Sequence, residues 1–269
     1  KSPVIYGMNL DLRGKKALVC GSTQGIGKAA ALELALLGAT VTLLARNESD
    51  LKKSRSELSS VFHQKHDYLV ADFSRPDELR ASLERYMRQA GTVHILVNNT
   101  GGPPGGAITE AKTEEFTQAF SNHLVCNHIL SQAVLPGMKD AGYGRIINVI
   151  STSVKQPLKG LGVSNTVRAA VANWSKTLAG EVAKYGITVN NVLPGATNTQ
   201  RLRSLIEAKA QKTHQRPDDI KAEMIHEVPM ARFAEAAEIA NAIAFLASPA
   251  AAYITGINVP VDGGRTSCL

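Results

Sequence analysis

Cysteine is scarce in this chain: Cys20, Cys126 and Cys268 are the only three in 269 residues. Their spacing fits neither a disulfide framework nor a metal-binding knuckle, so no metal site is expected. Long apolar runs are missing as well. No stretch reaches the roughly 18 apolar residues that a membrane-crossing helix requires, and no membrane partner is expected. The first residues show no basic segment followed by an apolar stretch and a small-residue cleavage site. Together with the few cysteines, that predicts a reducing, cytoplasmic location. Aromatics make up only 5%. The excess of base, net +7 with a pI near 9.3, invites a nucleic-acid reading. Yet the Lys and Arg residues are scattered and no nucleic-acid motif is present, so no such partner is expected. A basic cleft that draws in an anionic cofactor or substrate accounts for the charge.

What the chain does have is apolar residues, 44% of the total, enough for one large core. Its organising stretch is Lys16-Ala17-Leu18-Val19-Cys20-Gly21-Ser22-Thr23-Gln24-Gly25-Ile26-Gly27. Ala17 to Cys20 is a continuous apolar run, as expected of a strand covered on both faces. The glycines of a G-x-x-x-G-x-G turn follow. A helix then runs from Lys28 to Leu37, rich in Ala and Leu, and Gly38 stops it. Such a turn leaves backbone N–H groups at a helix N-terminus, where partial positive charge favours a phosphate.

Residues 1–14 read as a lead-in. Beyond the first strand, further strands are expected at Thr40–Ala45, Tyr68–Ala71, His94–Val97, Arg145–Ile150, Ile187–Leu193 and Ile257–Val261. Helices are expected over 48–61, from Ser74-Arg75-Pro76 with Ser74 as N-cap, over about 113–140, 163–185 and 236–246, and in pattern over 200–228. Strands alternating with helices predict βαβ crossovers and a parallel sheet. The expected fold is α/β: a single doubly wound Rossmann-type domain spanning 1–269, about seven parallel strands with helices on both faces, and ligands at the carboxyl ends of the strands.

With this strand-turn-helix, Asn98-Asn99-Thr100-Gly101, Ser151, Pro194-Gly195 and the tail Val261-Asp262-Gly263-Gly264 in order, the chain resembles the short-chain dehydrogenase/reductase family. It looks closest to the β-ketoacyl carrier-protein-reductase-like branch. The resemblance implies an NAD(P)-dependent oxidoreductase. It assigns Gly21, Ser22, Thr23, Gln24, Gly25, Ile26 and Gly27 to the pyrophosphate, Asp72 and Phe73 to the adenine, and Asn99, Thr100 and Gly101 to the cofactor lining. Pro194, Gly195, Thr197 and Thr199 fall on the loop that holds the nicotinamide amide. At the end of the second strand, where an acid would hold the ribose of NAD, stand Ala45 and Arg46. An arginine pairs with a 2′-phosphate, so NADP is favoured and NAD remains the alternative. Arg46 as a solvated surface charge is the plainer reading.

The family's catalytic Asn, Ser, Tyr and Lys are only partly kept. Ser151 matches the serine. Thirteen residues on, the tyrosine position holds Ser164, and the lysine position holds Arg168. The asparagine position aligns to His123, with Asn122 as its alternative if the helix register shifts by one. Ser164 can donate a hydrogen bond to a carbonyl but is a poor proton donor, and Arg168 stays protonated, able to hold ribose hydroxyls or an anion. Imidazole titrates near ~6.5, so His123 is a candidate proton carrier; a histidine that only packs is the alternative.

Residues 196–230 form the variable segment over the substrate, rich in Arg201, Arg203, Lys209, Lys212, Arg216 and Lys221 with acids interspersed. It reads either as a solvated lid or as a surface for a carboxylate, phosphate or carrier-linked acyl group. The loop Gly102-Pro103-Pro104-Gly105-Gly106 is expected to line the substrate pocket. In the family, the helices at 113–139 and 163–185 pack between subunits, which implies a dimer or tetramer. The expected activity is oxidoreduction of a small carbonyl/alcohol pair, its substrate possible as an anion. The alternatives are a non-redox lyase or isomerase step on the same fold, or a nucleotide-binding module without catalysis.

Overall fold

The computed structural model describes residues 7–268; residues 1–6, the start of the lead-in, and residue 269 lie outside the described residues. Among them one parallel sheet runs through β1 (Lys16–Cys20), β2 (Thr40–Ala45), β3 (Asp67–Val70), β4 (Ile95–Asn98), β5 (Gly144–Val149), β6 (Ile187–Pro194) and β7 (Asn258–Val261). The spatial order is β3-β2-β1-β4-β5-β6-β7, every pair parallel. The crossovers therefore reverse direction between β1 and β4, which opens a crevice at the carboxyl ends of those two strands.

Side chains alternate across the sheet with period two, and both faces are apolar. Val19, Val97 and Ile147 point to one layer, with α1 (Gly25–Leu36), α2 (Glu48–Ser56) and α9 (Ala236–Ala247) packed on it through Leu34, Leu51 and Ile243. Leu18, Leu96 and Ile146 point to the other. There they meet Leu83 of α3 (Pro76–Ala90), Leu130 of α5 (Cys126–Asp140) and Val182 of α6 (Gly162–Val182). Each such side chain, withdrawn fully from water, contributes about 1.5–3 kcal/mol before entropy is counted. No helix among the described residues is long and apolar enough to cross a membrane.

A polar stripe crosses this apolar sheet. Asn98, Asn148, Asn191 and Asn258 lie in register on four neighbouring strands. Asn98 Nδ2 donates to Asn148 Oδ1 (2.8 Å), Asn148 Nδ2 to Asn191 Oδ1 (2.9 Å), and Asn191 Nδ2 to Asn258 Oδ1 (2.8 Å). Asn148 also donates to Ser175 Oγ on α6 (3.2 Å).

Several local expectations are corrected. The helix expected over about 113–140 is α4 (Thr113–Phe120), a π-helical turn at Ser121–Val125, and α5. Helix α2 stops at Ser56 instead of reaching 61. Ser74 is not the N-cap of α3: Arg75 holds that position without a side-chain bond, and the Ser74 amide donates to Asp72 Oδ1 (2.8 Å). The 200–228 segment divides into α7 (Gln200–Thr213) and α8 (Pro217–His226), because His214 adopts a left-handed conformation (φ 56°) and Pro217 opens a new helix.

Candidate active site

Backbone geometry shapes the turn after β1. Gly21 sits at φ +58°, where a side chain is strained, and a Cβ there would come 2.7 Å from Asn99 Nδ2. At Gly27 a Cβ would overlap the Gly21 carbonyl oxygen and approach Asn99 Nδ2 to 2.6 Å. Asn99 is the tie that makes these fits tight: its amide donates to the carbonyls of Cys20 (3.2 Å) and Gly21 (3.3 Å). Ser22 is fully buried, with Thr23, Gly25 and Ile26 half-buried and Gln24 on the rim. Helix α1 begins after Gln24 with no side-chain cap, so its first N–H groups are left facing the crevice.

At the crevice's far end, Arg46 lies exposed beyond β2, and Asp72 and Phe73 follow β3, Phe73 buried. Burial works to raise the Asp72 carboxyl. Hydrogen bonds from Ser74 and the charges of Arg46 and Arg75 outweigh it and hold the group below its usual range, ionised beside Arg46. Thr100 is half-buried and Gly101 exposed, with open space where a Cβ would be. Past β6, half-buried Pro194 leads into Gly195, which packs on Asp262. Thr197 Oγ1 then donates to the Gly195 carbonyl (3.0 Å). Thr199 caps α7 by accepting from the Leu202 amide (3.3 Å), and its methyl group faces Gly25 across the crevice.

The four candidate catalytic residues come from three elements. Ser151 caps a short turn after β5, accepting from the Ser153 amide (3.1 Å). Ser164, half-buried, lies in the first turn of α6, with Arg168 one turn on along the same face. Arg168 as a whole is 8% exposed; Nη1 donates to the Val149 carbonyl (3.0 Å) and Nε has no partner. Burial, with the charge of Arg201 added, pushes its pKa down to about 10. His123 sits on the π-helical turn, 2% exposed. Burial, then the charges of Arg168 and Arg201, push its pKa down to about 2. The imidazole is therefore neutral at any physiological pH. Asn122 points elsewhere, its side-chain amide lying beside Gln118 and the Phe73 carbonyl.

Arg201 was visible in the sequence only as one of several basic residues in the lid. In the structure, α7 lies along the 102–110 loop. Arg201 Nη2 donates to the Pro103 carbonyl, Leu205 rests on Gly105, and Lys212 pairs with Glu110 (3.3 Å). Its position two residues after Thr199, at the start of the lid helix, was the one available signal.

The arrangement has known counterparts. The family described as enoyl-(acyl carrier protein) reductase matches residues 21–266. The 3-oxoacyl-[acyl-carrier-protein] reductase FabG of Pseudomonas aeruginosa is 36% identical over 257 residues, 95% of this chain and 98% of that protein. The Haemophilus influenzae enzyme of the same name is 37% identical over 253 residues, 94% and 98%. The crystal structure of L-sorbose reductase from Gluconobacter frateurii, complexed with NADPH and L-sorbose, superposes with a TM-score of 0.90 at 32% identity, covering 97% of this chain and 100% of that one. With a parallel sheet, a glycine turn at its reversal point and this likeness over nearly the whole length, the chain belongs to the short-chain dehydrogenase/reductase family of oxidoreductases.

Proposed function

We propose that the chain is an NADP-dependent oxidoreductase of a small carbonyl/alcohol pair, working without the family's tyrosine and lysine. The uncapped N-terminus of α1, set behind a glycine turn that tolerates no side chain, carries this reading. Those residues fit an adenine dinucleotide: the N–H groups of the turn would take its pyrophosphate, and Asp72 and Phe73 its adenine. Arg46 would pair with a 2′-phosphate, and Thr197 and Thr199 line the nicotinamide end. When bound, the reduced nicotinamide supplies a hydride.

The chain's own residues then manage the oxygen. Ser151 and Ser164 donate hydrogen bonds to the substrate oxygen, and the nearby Arg168 charge steadies the negative charge that develops there. Neither serine is acidic enough to give up its proton unaided, so the hydroxyls relay one from solvent. His123 is held neutral by burial and by the charges of Arg168 and Arg201, and does not act as an imidazolium acid. Acid catalysis by a phenol is thereby replaced by electrostatic stabilisation from a fixed cation. We also read the chain as a cytoplasmic homo-oligomer, on its relatives' pattern, and residues 1–269 as one domain with a lid at 196–230.

The test is a fluorescence titration with NADPH and NADH, followed by a screen of carbonyl compounds for loss of the reduced nicotinamide absorbance. Micromolar NADPH binding with turnover is the expected result. Binding without turnover of any carbonyl overturns the catalytic reading, and no binding of either dinucleotide overturns the cofactor reading.

A further inference from the structure

Two cations converge on one point of the substrate loop. Were Gly102 to carry a Cβ, Arg201 Nη2 would lie 3.5 Å from it, Arg168 Nη2 3.7 Å and Arg201 Nε 3.8 Å. The two guanidinium groups arrive from different elements, α6 and α7, and each is anchored to a backbone carbonyl, Val149 for Arg168 and Pro103 for Arg201. Neither is paired with a carboxylate among the described residues, although elsewhere nine ion pairs form. Arg168 is more than nine-tenths buried and its Nε has no partner. His123, whose protonation both charges oppose, is neutral and offers no compensating negative charge. Arg201 is exposed and water serves its charge, but the Arg168 charge is buried with no counter-charge, which is costly, and an anionic ligand reaching in beside Gly102 would complete it.

We infer that Arg168 and Arg201 hold the carboxylate of an oxo-acid substrate beside Gly102. The inference rests on the oxidoreductase reading above and narrows it. Guanidinium forks match the two oxygens of a carboxylate, and two forks can hold both. The two groups share one face of α6: Ser164, which serves the reacting oxygen, is one helical turn from Arg168. One small substrate can therefore meet both, and its acid group must be free and not esterified to a carrier; short 2-oxo and 3-oxo acids are the class to test. In the reaction the carbonyl carbon gains a hydride and the oxygen gains a proton from solvent. The product is the hydroxy acid, and the reduced nicotinamide dinucleotide is oxidised by two electrons.

Matched pairs decide it: straight-chain 2-oxo and 3-oxo acids against their methyl esters, assayed at saturating NADPH. The acids should exceed the esters in kcat/KM by at least about tenfold, the worth of one charge-assisted hydrogen bond. Arg201→Gln should cut that ratio about tenfold, mostly through KM, and Arg201→Lys should restore part of it. In a second readout, the hydroxy acid added with NADP should raise the melting temperature of the wild type and not of Arg201→Gln. Equal use of acid and ester, an unchanged ratio in a folded Arg201→Gln, or a preference for phosphorylated ketones over acids overturns the inference while leaving the oxidoreductase reading in place. Absence of NADPH binding in the first titration overturns that reading instead.

Discussion

Gly27→Ala is the sharpest probe of the glycine turn. Its Cβ would stand 2.6 Å from Asn99 Nδ2, whereas ordinary contact begins near 3.4 Å, and it would overlap the Gly21 carbonyl oxygen as well. Neither neighbour can yield cheaply. The carbonyl is backbone, and the Asn99 amide is pinned to Cys20 and Gly21. Overpacking of this kind costs about 1–3 kcal/mol. Alanine in the first turn of α1 recovers at most about 1 kcal/mol of helix propensity. A net loss of about 1–2 kcal/mol follows, a fall in Tm of a few degrees at ~2–4 °C per kcal/mol. The cofactor consequence is larger. Moving the turn by a large fraction of an ångström disturbs N–H groups whose charge-assisted bonds to a phosphate are worth about 1.5–3 kcal/mol each, so NADPH affinity should fall at least about tenfold. Thermal melts and fluorescence titration measure both. A variant destabilised as calculated but binding NADPH like the wild type refutes the cradle and leaves only a structural turn.

Two other substitutions test separate links. Arg46→Asp should lower the preference for NADPH over NADH by roughly 5- to 30-fold, the effect of about 1–2 kcal/mol at an exposed charge; an unchanged preference in paired titrations removes Arg46 from the case for NADP. Asn148→Leu strips the centre from the amide stripe, leaving Asn98 Nδ2 and Asn191 Oδ1 buried without their partners. At about 1–3 kcal/mol for each orphaned group, the loss in a denaturant melt should exceed about 2 kcal/mol; a loss under 1 kcal/mol means that the sheet does not depend on the stripe.

The sheet was legible because parallel strands buried on both faces read as short apolar runs, and all seven stand within a residue or so of where such runs place them. Helix ends were less so. The π-helical turn at Ser121–Val125 adds a residue to one turn without disturbing the apolar pattern on either side, so a single helix over 113–140 is what periodicity returns. Ser74 looked like a cap because it precedes Pro76, but Asp72 competes for the same turn and takes the Ser74 amide. The amide stripe was invisible for another reason. Each asparagine sits in a different strand, and only the register aligns them. Arg201 needed the docking of α7 on the 102–110 loop, a tertiary event of which its place two residues after Thr199 gives only the position and not the contact.

The site's charge also dictates how it meets pH. In most active sites some group titrates near neutrality. Here His123 is neutral down to about 2, and Arg168 is charged up to about 10. The kcat/KM for carbonyl reduction should therefore be flat between about pH 6 and 9, falling on the alkaline side as Arg168 loses its proton. A bell with a limb near 6.5 would mean that the imidazole carries the proton after all, and loss of turnover in a folded His123→Ala would say the same. Stability moves differently. His123 has its ordinary value near 6.5 when unfolded and about 2 when folded, so the unfolded chain binds the extra proton between those values. Its contribution to stability is complete above about 6.5 and is lost progressively as pH falls toward 2. Replacing the ring by leucine removes that dependence, so the acid limb of a stability profile should be shallower in His123→Leu than in the wild type. Parallel acid limbs in urea melts taken from pH 4 to 7 would show that the imidazole is already protonated in the folded chain, and the two arginines would then face a third cation instead of a neutral ring.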